Sequence, residues 1–233
     1  MKLWRLLRKN LPMGADELYI IIPAYNEEKH LATVLKRVRK YSSRIVVIDD
    51  GSKDKTSERA EQIGVTVLKH PINLGKGAAL KTGCDYAVQQ GAKILIVMDS
   101  DGQHEPEDIP RFLEALKGKD IVFGSRKKSK NMPAVLKFGN WFLNESAALL
   151  FRIRISDTQS GFRAFTAKAY KKIRWEANNY SMETEMITNV RRNKLKYDEI
   201  FIKTIYGDKY KGTTVVDGMK IFLNMLWWRI TRW

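Results

Sequence analysis

The chain is poor in the residues that build disulfides and metal–thiolate sites. Its 233 residues include one cysteine, Cys84, which excludes an intramolecular disulfide and a cluster of thiolate ligands. Such scarcity is typical of a protein that works in a reducing compartment. Only three histidines are present, so a site rich in imidazole ligands is not expected either.

A long hydrophobic run is also missing. No apolar stretch reaches the roughly 18–20 residues that a membrane-spanning helix needs. The segment 1–12 carries arginine and lysine inside its apolar part, which disfavours a secretory signal. We therefore expect a soluble protein or one that lies on a membrane surface. Because 44% of the residues are hydrophobic, the chain can build a sizeable core, and a disordered protein is excluded.

Two phosphate-binding signatures are absent as well. The sequence has no G-x-G-x-x-G, which disfavours a Rossmann dinucleotide fold, and no G-x-x-x-x-G-K-[ST], which excludes a P-loop nucleotidase. Cys84 falls inside a predicted helix with no histidine partner, so it is interpreted as a buried residue and not as a nucleophile.

Charge is abundant but unevenly distributed. The formal net charge is +16, and residues 119–233 hold 23 Lys and Arg against 10 Asp and Glu. Residues 1–118 contribute only +3 to the total. A basic second half predicts an anionic partner, which leaves nucleic acid, a phosphorylated substrate and an anionic membrane surface open.

The first 125 residues alternate short apolar runs with amphipathic stretches, which predicts βαβ units and a parallel sheet. The predicted strands are Leu18–Pro23, Arg44–Ile48, Val65–Leu68, Lys93–Met98 and Asp120–Phe123. The helices predicted between them span Leu31–Val38, Lys53–Gly64, Gly75–Gln90 and Pro106–Lys117. Beyond these, helices are predicted at Ala134–Arg154, Lys168–Arg174, Met182–Lys194 and Val216–Arg229, and a strand at Ile200–Ile205.

Charged side chains follow the predicted strands directly. Glu27 follows the first strand, Asp50 the second, and Asp99 and Asp101 the fourth, whereas Arg126 follows the fifth. Ligands of parallel sheets bind at the carboxyl ends of the strands. Because carboxylates beside buried strands are costly unless they are paired, hydrogen-bonded or metal-bound, this edge is the predicted site.

The most specific of these loops is the segment DSDGQ at residues 99–103. Its two aspartates can converge on one hard cation, and the side-chain carbonyl of Gln103 can complete an oxygen shell. Such ligands suit Mg²⁺ or Mn²⁺, which commonly connect a protein to a diphosphate. The alternative is an ordinary turn rich in aspartate and glycine.

The order of the motifs points to a family. PAYNEE, VIDDGSKDKT, NLGKGAALKTG, VMDSDGQH, GSR and DTQSGFRAF follow one another along the chain. Over about residues 18–215 the chain resembles glycosyltransferase family 2, and most closely its dolichol-phosphate (polyprenol-phosphate) mannose or glucose synthases. The resemblance implies a GT-A fold, an α/β structure with a mostly parallel central sheet and flanking helices. Its Rossmann-like half would bind the nucleotide, and a C-terminal helical region would bind the acceptor.

The resemblance also implies a division within one catalytic domain. An N-terminal amphipathic segment (1–17) would precede the half that binds the nucleotide sugar (18–126). The half that binds the acceptor and contains an interfacial helix (127–215) would follow. A C-terminal amphipathic helix (216–233) would end the chain.

Site residues follow from the same resemblance. The nucleotide sugar would be bound by Pro23, Tyr25, Glu27, Ile48, Asp50, Lys76, Asp99, Ser100, Asp101, Arg126 and Lys209. The metal ion, Mg²⁺ or Mn²⁺, would be held by Asp99, Asp101 and Gln103. The catalytic set would be Asp101, Arg126, Arg163 and Glu185, with both arginines binding phosphate and Asp157 ordering their loop. Glu183 stands where the family commonly has glutamine.

The implied reaction is an inverting, metal-dependent transfer of a sugar to a polyprenyl or dolichyl monophosphate. The enzyme would be peripheral on the cytoplasmic face of a membrane, which it would meet through its own surface or through an anchoring partner protein. Mannose from GDP-mannose is the expected donor sugar. Because residues 206–215 depart from the basic-GESKL pattern common in the mannose synthases, UDP-glucose and UDP-N-acetylglucosamine stay open.

Two other functions compete with this one. The chain could instead glycosylate a hydroxyl of a saccharide or glycolipid, which requires a general base, and Glu183 and Glu185 are the nearest candidates. A nucleic-acid-binding module would explain the basic half. It leaves the carboxylates at the strand ends unexplained, so no nucleic-acid partner is expected.

Overall fold

The apolar runs form a seven-stranded sheet in a computed structural model that describes residues 17–126, 134–203 and 215–232. The strands are β1 (Leu18–Ala24), β2 (Arg44–Asp49), β3 (Thr66–Lys69), β4 (Ile94–Val97), β5 (Ile121–Arg126), β6 (Arg163–Thr166) and β7 (Tyr197–Ile202). The helices are α1 (Leu31–Val38), α2 (Thr56–Ile63), α3 (Lys76–Gln89), α4 (Ile109–Ala115), α5 (Ala134–Phe151), α6 (Ala167–Ile173), α7 (Ser181–Arg192) and α8 (Val215–Thr231). Lys209 and the 206–215 stretch, apart from Val215, lie outside the described residues, as does the segment 1–16.

The strand order is β3-β2-β1-β4-β6-β5-β7. β1 pairs in parallel with both β2 and β4, and β2 pairs in parallel with β3. This confirms the parallel sheet predicted for the first half. β6 lies antiparallel between β4 and β5, and its four residues, RAFT, were not predicted as a strand because so short a run has no clear period of two.

Helices cover both faces of the sheet, which explains why its central strands are continuously apolar. Ile20, Ile21 and Ile22 of β1 are all fully buried. Ile21 faces the core under α3 and the helices of the second half, whereas Ile20 and Ile22 face the core under α1 and α4. Because β2 and β4 both pair in parallel with β1, the carboxyl ends of the three strands meet at one edge.

Two predicted helices differ in length from those observed. The helix predicted from Lys53 begins instead at Thr56, because the N–H of Lys53 donates to the side chain of Asn26 in a preceding turn. The helix predicted to Arg154 ends at Phe151, because Arg152 adopts a left-handed backbone with φ of 54°.

The strand predicted at Ile200–Ile205 is β7, which lies earlier, at Tyr197–Ile202, and pairs in parallel with β5 along that strand. Among the described helices, none is both long enough and apolar enough to cross a membrane.

Close packing of α3 on the sheet depends on Gly83. A Cβ at Gly83 would lie 2.4 Å from Ile48 Cδ1 and 2.6 Å from Ile21 Cγ2. We expect Gly83→Ala to lower the free energy of unfolding by about 1–3 kcal/mol, because the core cannot accept the extra methyl group. The measurement is urea denaturation followed by circular dichroism.

The matched control is Gly139→Ala on α5, where a Cβ would meet nothing within 4 Å. Alanine is the better helix former, so this variant should gain roughly 0.5–1 kcal/mol. Equal effects of the two substitutions would contradict the tight packing described at Gly83.

Candidate active site

A cavity of about 560 Å³ opens at the carboxyl ends of β1, β2 and β4. Its lining includes, among the residues predicted for the nucleotide sugar, Pro23, Tyr25, Glu27, Asp50, Lys76, Asp99, Ser100 and Asp101. Ile48 does not line it, since its side chain is fully buried in the core beneath. The fold thus brings these separate loops together, while their individual roles stay predictions.

Lys76 lies between two carboxylates. Its Nζ is 2.7 Å from Asp99 Oδ1 and 3.1 Å from Glu183 Oε1. The ring of Tyr180 also lies against it, with its centroid 5.7 Å from Nζ. Lys76 is the first residue of α3, so the start of this helix places an ammonium group directly at the carboxylate-lined edge.

The two aspartates of the DSDGQ loop have opposite pKa shifts. Burial alone would raise the pKa of Asp99, but Lys76 and His104 outweigh it and lower the value to about 2. Burial and the neighbouring charge of Asp99 together raise the pKa of Asp101. Lys76 therefore compensates the negative charge of Asp99, whereas the charged form of Asp101 is disfavoured beside it.

This arrangement fits a divalent cation. Asp99 and Asp101 are hard-oxygen donors, and their mutual repulsion is what a cation would relieve. Gln103 lies beside them, with its N–H donating to Asp101 Oδ1 over 2.9 Å. No group of three or more His, Cys, Asp or Glu side chains in the described part of the chain is arranged to hold a metal ion. A cation here would therefore need further oxygens, from the Gln103 side chain and from a bound ligand.

Asp50 organises the loop that leads into α3. Its carboxylate accepts hydrogen bonds from the N–H of Leu74 at 3.0 Å and of Gly75 at 2.8 Å. His70 Nδ1 lies 2.7 Å from the same carboxylate. Asp50 thus fixes the turn that places Lys76, in addition to lining the cavity where it is predicted to contact base or ribose.

Arg126 is paired with Asp157, to which the resemblance assigns the ordering of this loop. Arg126 Nε lies 2.6 Å from Asp157 Oδ2, and its Nη2 lies 3.0 Å from Oδ1. The guanidinium is thus fixed in a bidentate pair at the end of β5. It is not among the residues that line the cavity, so phosphate binding by Arg126 stays a prediction.

Arg163 lies behind the cavity. Only 1% of this residue is exposed, and its guanidinium donates to the carbonyls of Ser160, Thr158 and Glu183, each at 3.0 Å. Burial lowers its pKa to about 10. Arg163 therefore holds the 158–160 loop against the start of α7. The phosphate binding that the resemblance implies for Arg163 stays a prediction, and it would require these bonds to break.

Glu185 also serves the scaffold. Its Oε2 accepts from the N–H groups of Glu176 and Ala177, and its Oε1 lies 2.7 Å from Arg232 Nη1. The side chain is 1% exposed and fixes the loop between α6 and α7. Glu185 thus does not line the cavity, although the resemblance implies a catalytic role for it.

That loop supplies residues that the sequence did not single out. Asn179 and Tyr180 line the cavity, and the carbonyl of Asn178 accepts from the N–H of Gly77 over 2.8 Å. Tyr180 was missed because a lone aromatic before a predicted helix has no distinctive spacing. Gly161 was quoted only as part of a motif, yet a Cβ there would lie 2.7 Å from Asp99 Oδ2 and 2.9 Å from Lys76 Nζ.

A second surface is apolar and exposed. On α8 the exposed side chains recur every three or four residues and so share one face of the helix, opposite the buried Ile221 and Met225. The neighbouring helix α5 presents a similar set. We call this the α5–α8 surface; it comprises Phe138, Trp141, Leu149, Met219, Leu223, Trp227 and Ile230.

The placement of Arg163 leads to a stability test. Arg163→Met would remove three buried hydrogen bonds from a guanidinium to backbone carbonyls, and we expect it to lower the free energy of unfolding by about 3 kcal/mol or more. The measurement is urea denaturation of the ligand-free protein. Arg174→Met is the control, and it should cost less because both Arg174 and its partner Asp85 are substantially exposed. A stable Arg163→Met protein that lost only phosphate binding would instead support the direct role that the resemblance implies.

Comparison with known proteins agrees with the fold. The sequence model of "Glycosyl transferase family 2" matches residues 19–174. A UDP-N-acetylglucosamine–dolichyl-phosphate N-acetylglucosaminyltransferase of Methanococcus voltae is 37% identical, over 91% of this chain and 96% of the relative. An undecaprenyl-phosphate mannosyltransferase of Micrococcus luteus is 30% identical, over 91% of this chain and 94% of the relative.

A solved structure has the same fold. Glucosyl-3-phosphoglycerate synthase from Mycobacterium tuberculosis, in complex with Mn²⁺, UDP and phosphoglyceric acid, superposes with a TM-score of 0.73 at 17% identity. The match covers 98% of this chain and 81% of that one. The predicted GT-A fold is thereby confirmed, and the chain is a glycosyltransferase that belongs to glycosyltransferase family 2.

Proposed function

We propose that this glycosyltransferase transfers a sugar from a nucleoside diphosphate donor to the phosphate of a polyprenyl or dolichyl monophosphate, with Mg²⁺ or Mn²⁺. The observation that carries the proposal is the cavity where Asp99, Asp101 and Lys76 meet at the carboxyl ends of parallel strands. The acceptor class is supported by the two relatives whose names state a polyprenyl-type phosphate and whose alignments span nearly the whole chain.

Asp99, Asp101 and Gln103 would hold the proposed cation, which would neutralise the diphosphate of the donor. When the bond from sugar to diphosphate breaks, negative charge grows on the leaving group, and the chemistry that a bound divalent ion would supply is stabilisation of this charge. Tyr25, Glu27 and Asp50 line the part of the cavity assigned to the nucleoside. We infer that the acceptor attacks directly, which inverts the anomeric configuration.

The structure favours a phosphate acceptor over a hydroxyl acceptor. A hydroxyl needs a general base, whereas a lipid phosphate is already an anion near neutral pH. The two glutamates considered for that role are engaged elsewhere. Glu185 is bonded on both oxygens, and Glu183 is 2% exposed and paired with Lys76. Neither lines the cavity.

The donor sugar has two leading candidates. Mannose is expected from the resemblance and is the sugar in the name of the Micrococcus luteus relative, at 30% identity. N-acetylglucosamine is the sugar in the name of the Methanococcus voltae relative, at 37% identity. UDP-glucose, left open by the sequence, is a third donor to include.

Membrane contact is proposed to occur through the α5–α8 surface. Leu223, Trp227 and Ile230 of α8 are 62%, 63% and 80% exposed. Tryptophan flanked by basic residues is typical of helices that lie in a membrane interface, and Lys220 is exposed on the same helix. We propose that this surface brings the enzyme to its lipid acceptor on the cytoplasmic face of a membrane.

The reaction is tested with radiolabelled GDP-mannose, UDP-N-acetylglucosamine and UDP-glucose, each with Mn²⁺ or EDTA and with polyprenyl monophosphate in detergent. We expect one donor to give a product that partitions into organic solvent and that disappears with EDTA. Asp101→Asn should lower the rate at least about 100-fold, as expected when a group that holds transition-state charge is lost.

Gly139→Ala is the control and should keep the wild-type rate, because this position lies on α5 with open space around it. A lipid product that forms equally well in EDTA would contradict the proposed metal dependence. Hydrolysis of a donor without any lipid product, for all three donors, would contradict the proposed lipid phosphate acceptor.

Membrane contact is tested by sedimentation with vesicles that contain anionic lipid. We expect the double variant Leu223→Ser and Trp227→Ser to bind at least about tenfold more weakly, because it removes apolar area from the proposed interface. Phe201→Ser is the control, since it removes an exposed aromatic from β7, outside the α5–α8 surface. Equal vesicle binding by both variants would contradict the assignment of this surface.

A further inference from the structure

We propose that Lys76 and the divalent cation compete for Asp99, and that Glu183 retains Lys76 when the cation is bound. Glu183 is then a positioning residue that sets the affinity for the metal through Lys76. This inference rests on the metal-dependent function proposed above and concerns how the same site is loaded.

Competition follows from the position of the ammonium group. Lys76 Nζ lies 2.7 Å from Asp99 Oδ1, at the carboxylate that is predicted to hold the cation. A cation and an ammonium group repel each other, and the repulsion is strong where water is largely excluded. Because 18% of the Lys76 side chain and 27% of the Asp99 side chain are exposed, screening by water is limited. Binding of the metal at Asp99 is thus expected to weaken the Lys76–Asp99 contact.

Glu183 offers Lys76 a second partner. Its Oε1 already lies 3.1 Å from Lys76 Nζ, so the ammonium group needs only a small movement to leave Asp99 for Glu183. Its Oε2 is buried and has no hydrogen-bond partner among the described residues. A buried carboxylate oxygen without a donor is costly, and a closer approach of the ammonium group would lower that cost.

The backbone around Glu183 is fixed, so the glutamate is not expected to follow the cation. Its carbonyl accepts from Arg163 Nη1 over 3.0 Å, and the side chain is only 3% exposed. On the opposite side, Gly161 leaves the space that Asp99 and Lys76 occupy, since a Cβ there would lie within 3 Å of both. The movable group in the Asp99–Lys76–Glu183 triad is therefore the lysine side chain.

The test is a Mn²⁺ titration of the nucleotide-free protein, followed by the electron paramagnetic resonance signal of free Mn²⁺. We expect Lys76→Met to bind Mn²⁺ about tenfold more tightly, because the competing cation is gone. Glu183→Gln should bind about tenfold more weakly in the presence of Lys76, and Glu183→Asp should recover part of this loss. A tenfold change corresponds to about 1.4 kcal/mol.

The decisive comparison is Glu183→Gln in the Lys76→Met background. We expect an effect smaller than about threefold there, since no lysine remains to be retained. This double variant removes one positive and one negative charge together and so preserves the local charge balance. It therefore takes the place of Lys76→Met in the comparison with wild type if that single variant does not fold. Against wild type, the double variant should also bind Mn²⁺ more tightly.

Two results would overturn the proposal. Unchanged or weaker Mn²⁺ binding when Lys76 is replaced, alone or in the double variant, would show that lysine and metal do not compete. An equal loss from Glu183→Gln in both backgrounds would show that Glu183 acts as a ligand or by its charge alone. If wild-type protein bound no Mn²⁺ even with UDP or GDP, the metal-dependent function itself would fail as well.

Discussion

The contact between Lys76 and Asp99 is the interaction on which the rest of the site depends. Carboxylates at the ends of buried strands destabilise the fold unless they are hydrogen-bonded or neutralised by a cation. Here α3 supplies that cation with its first residue, at 2.7 Å from Asp99. Asp50 fixes the turn before the helix, and Gly161 leaves room for the pair. The same excess of negative charge makes this edge suitable for a divalent cation and for a diphosphate attached to it.

The second half of the chain supports this edge from behind. Trp175 Nε1 donates to the carbonyl of Gly77, and Glu185 accepts from two N–H groups of the loop between α6 and α7. Arg232, after the end of α8, pairs with the same glutamate over 2.7 Å. A continuous chain of contacts therefore connects the helix that carries the apolar α5–α8 surface with the start of α3. Buried polar residues such as Arg163 and Glu185 serve this scaffold.

The sequence predicted the parallel half of the sheet because continuous apolar runs such as β1 are specific to strands covered on both faces. It also predicted that the cavity residues lie together, because the ends of parallel strands share one edge. It did not predict β6, whose four residues gain their pairing only from β4 and β5. Nor did it distinguish the buried Arg163 from the partly buried Arg126, since side-chain burial depends on the tertiary contacts of each arginine and not on the motif.

The central claim is that the sugar is transferred to a lipid phosphate, and ³¹P NMR of the acceptor tests it most directly. Polyprenyl monophosphate would be incubated with the active donor, Mn²⁺ and the enzyme, and its phosphorus resonance followed. The account predicts that the monoester signal is replaced by a phosphodiester signal in proportion to the sugar transferred. Sugar incorporation into the organic phase with an unchanged monoester signal would contradict it, because the sugar would then be attached to another group.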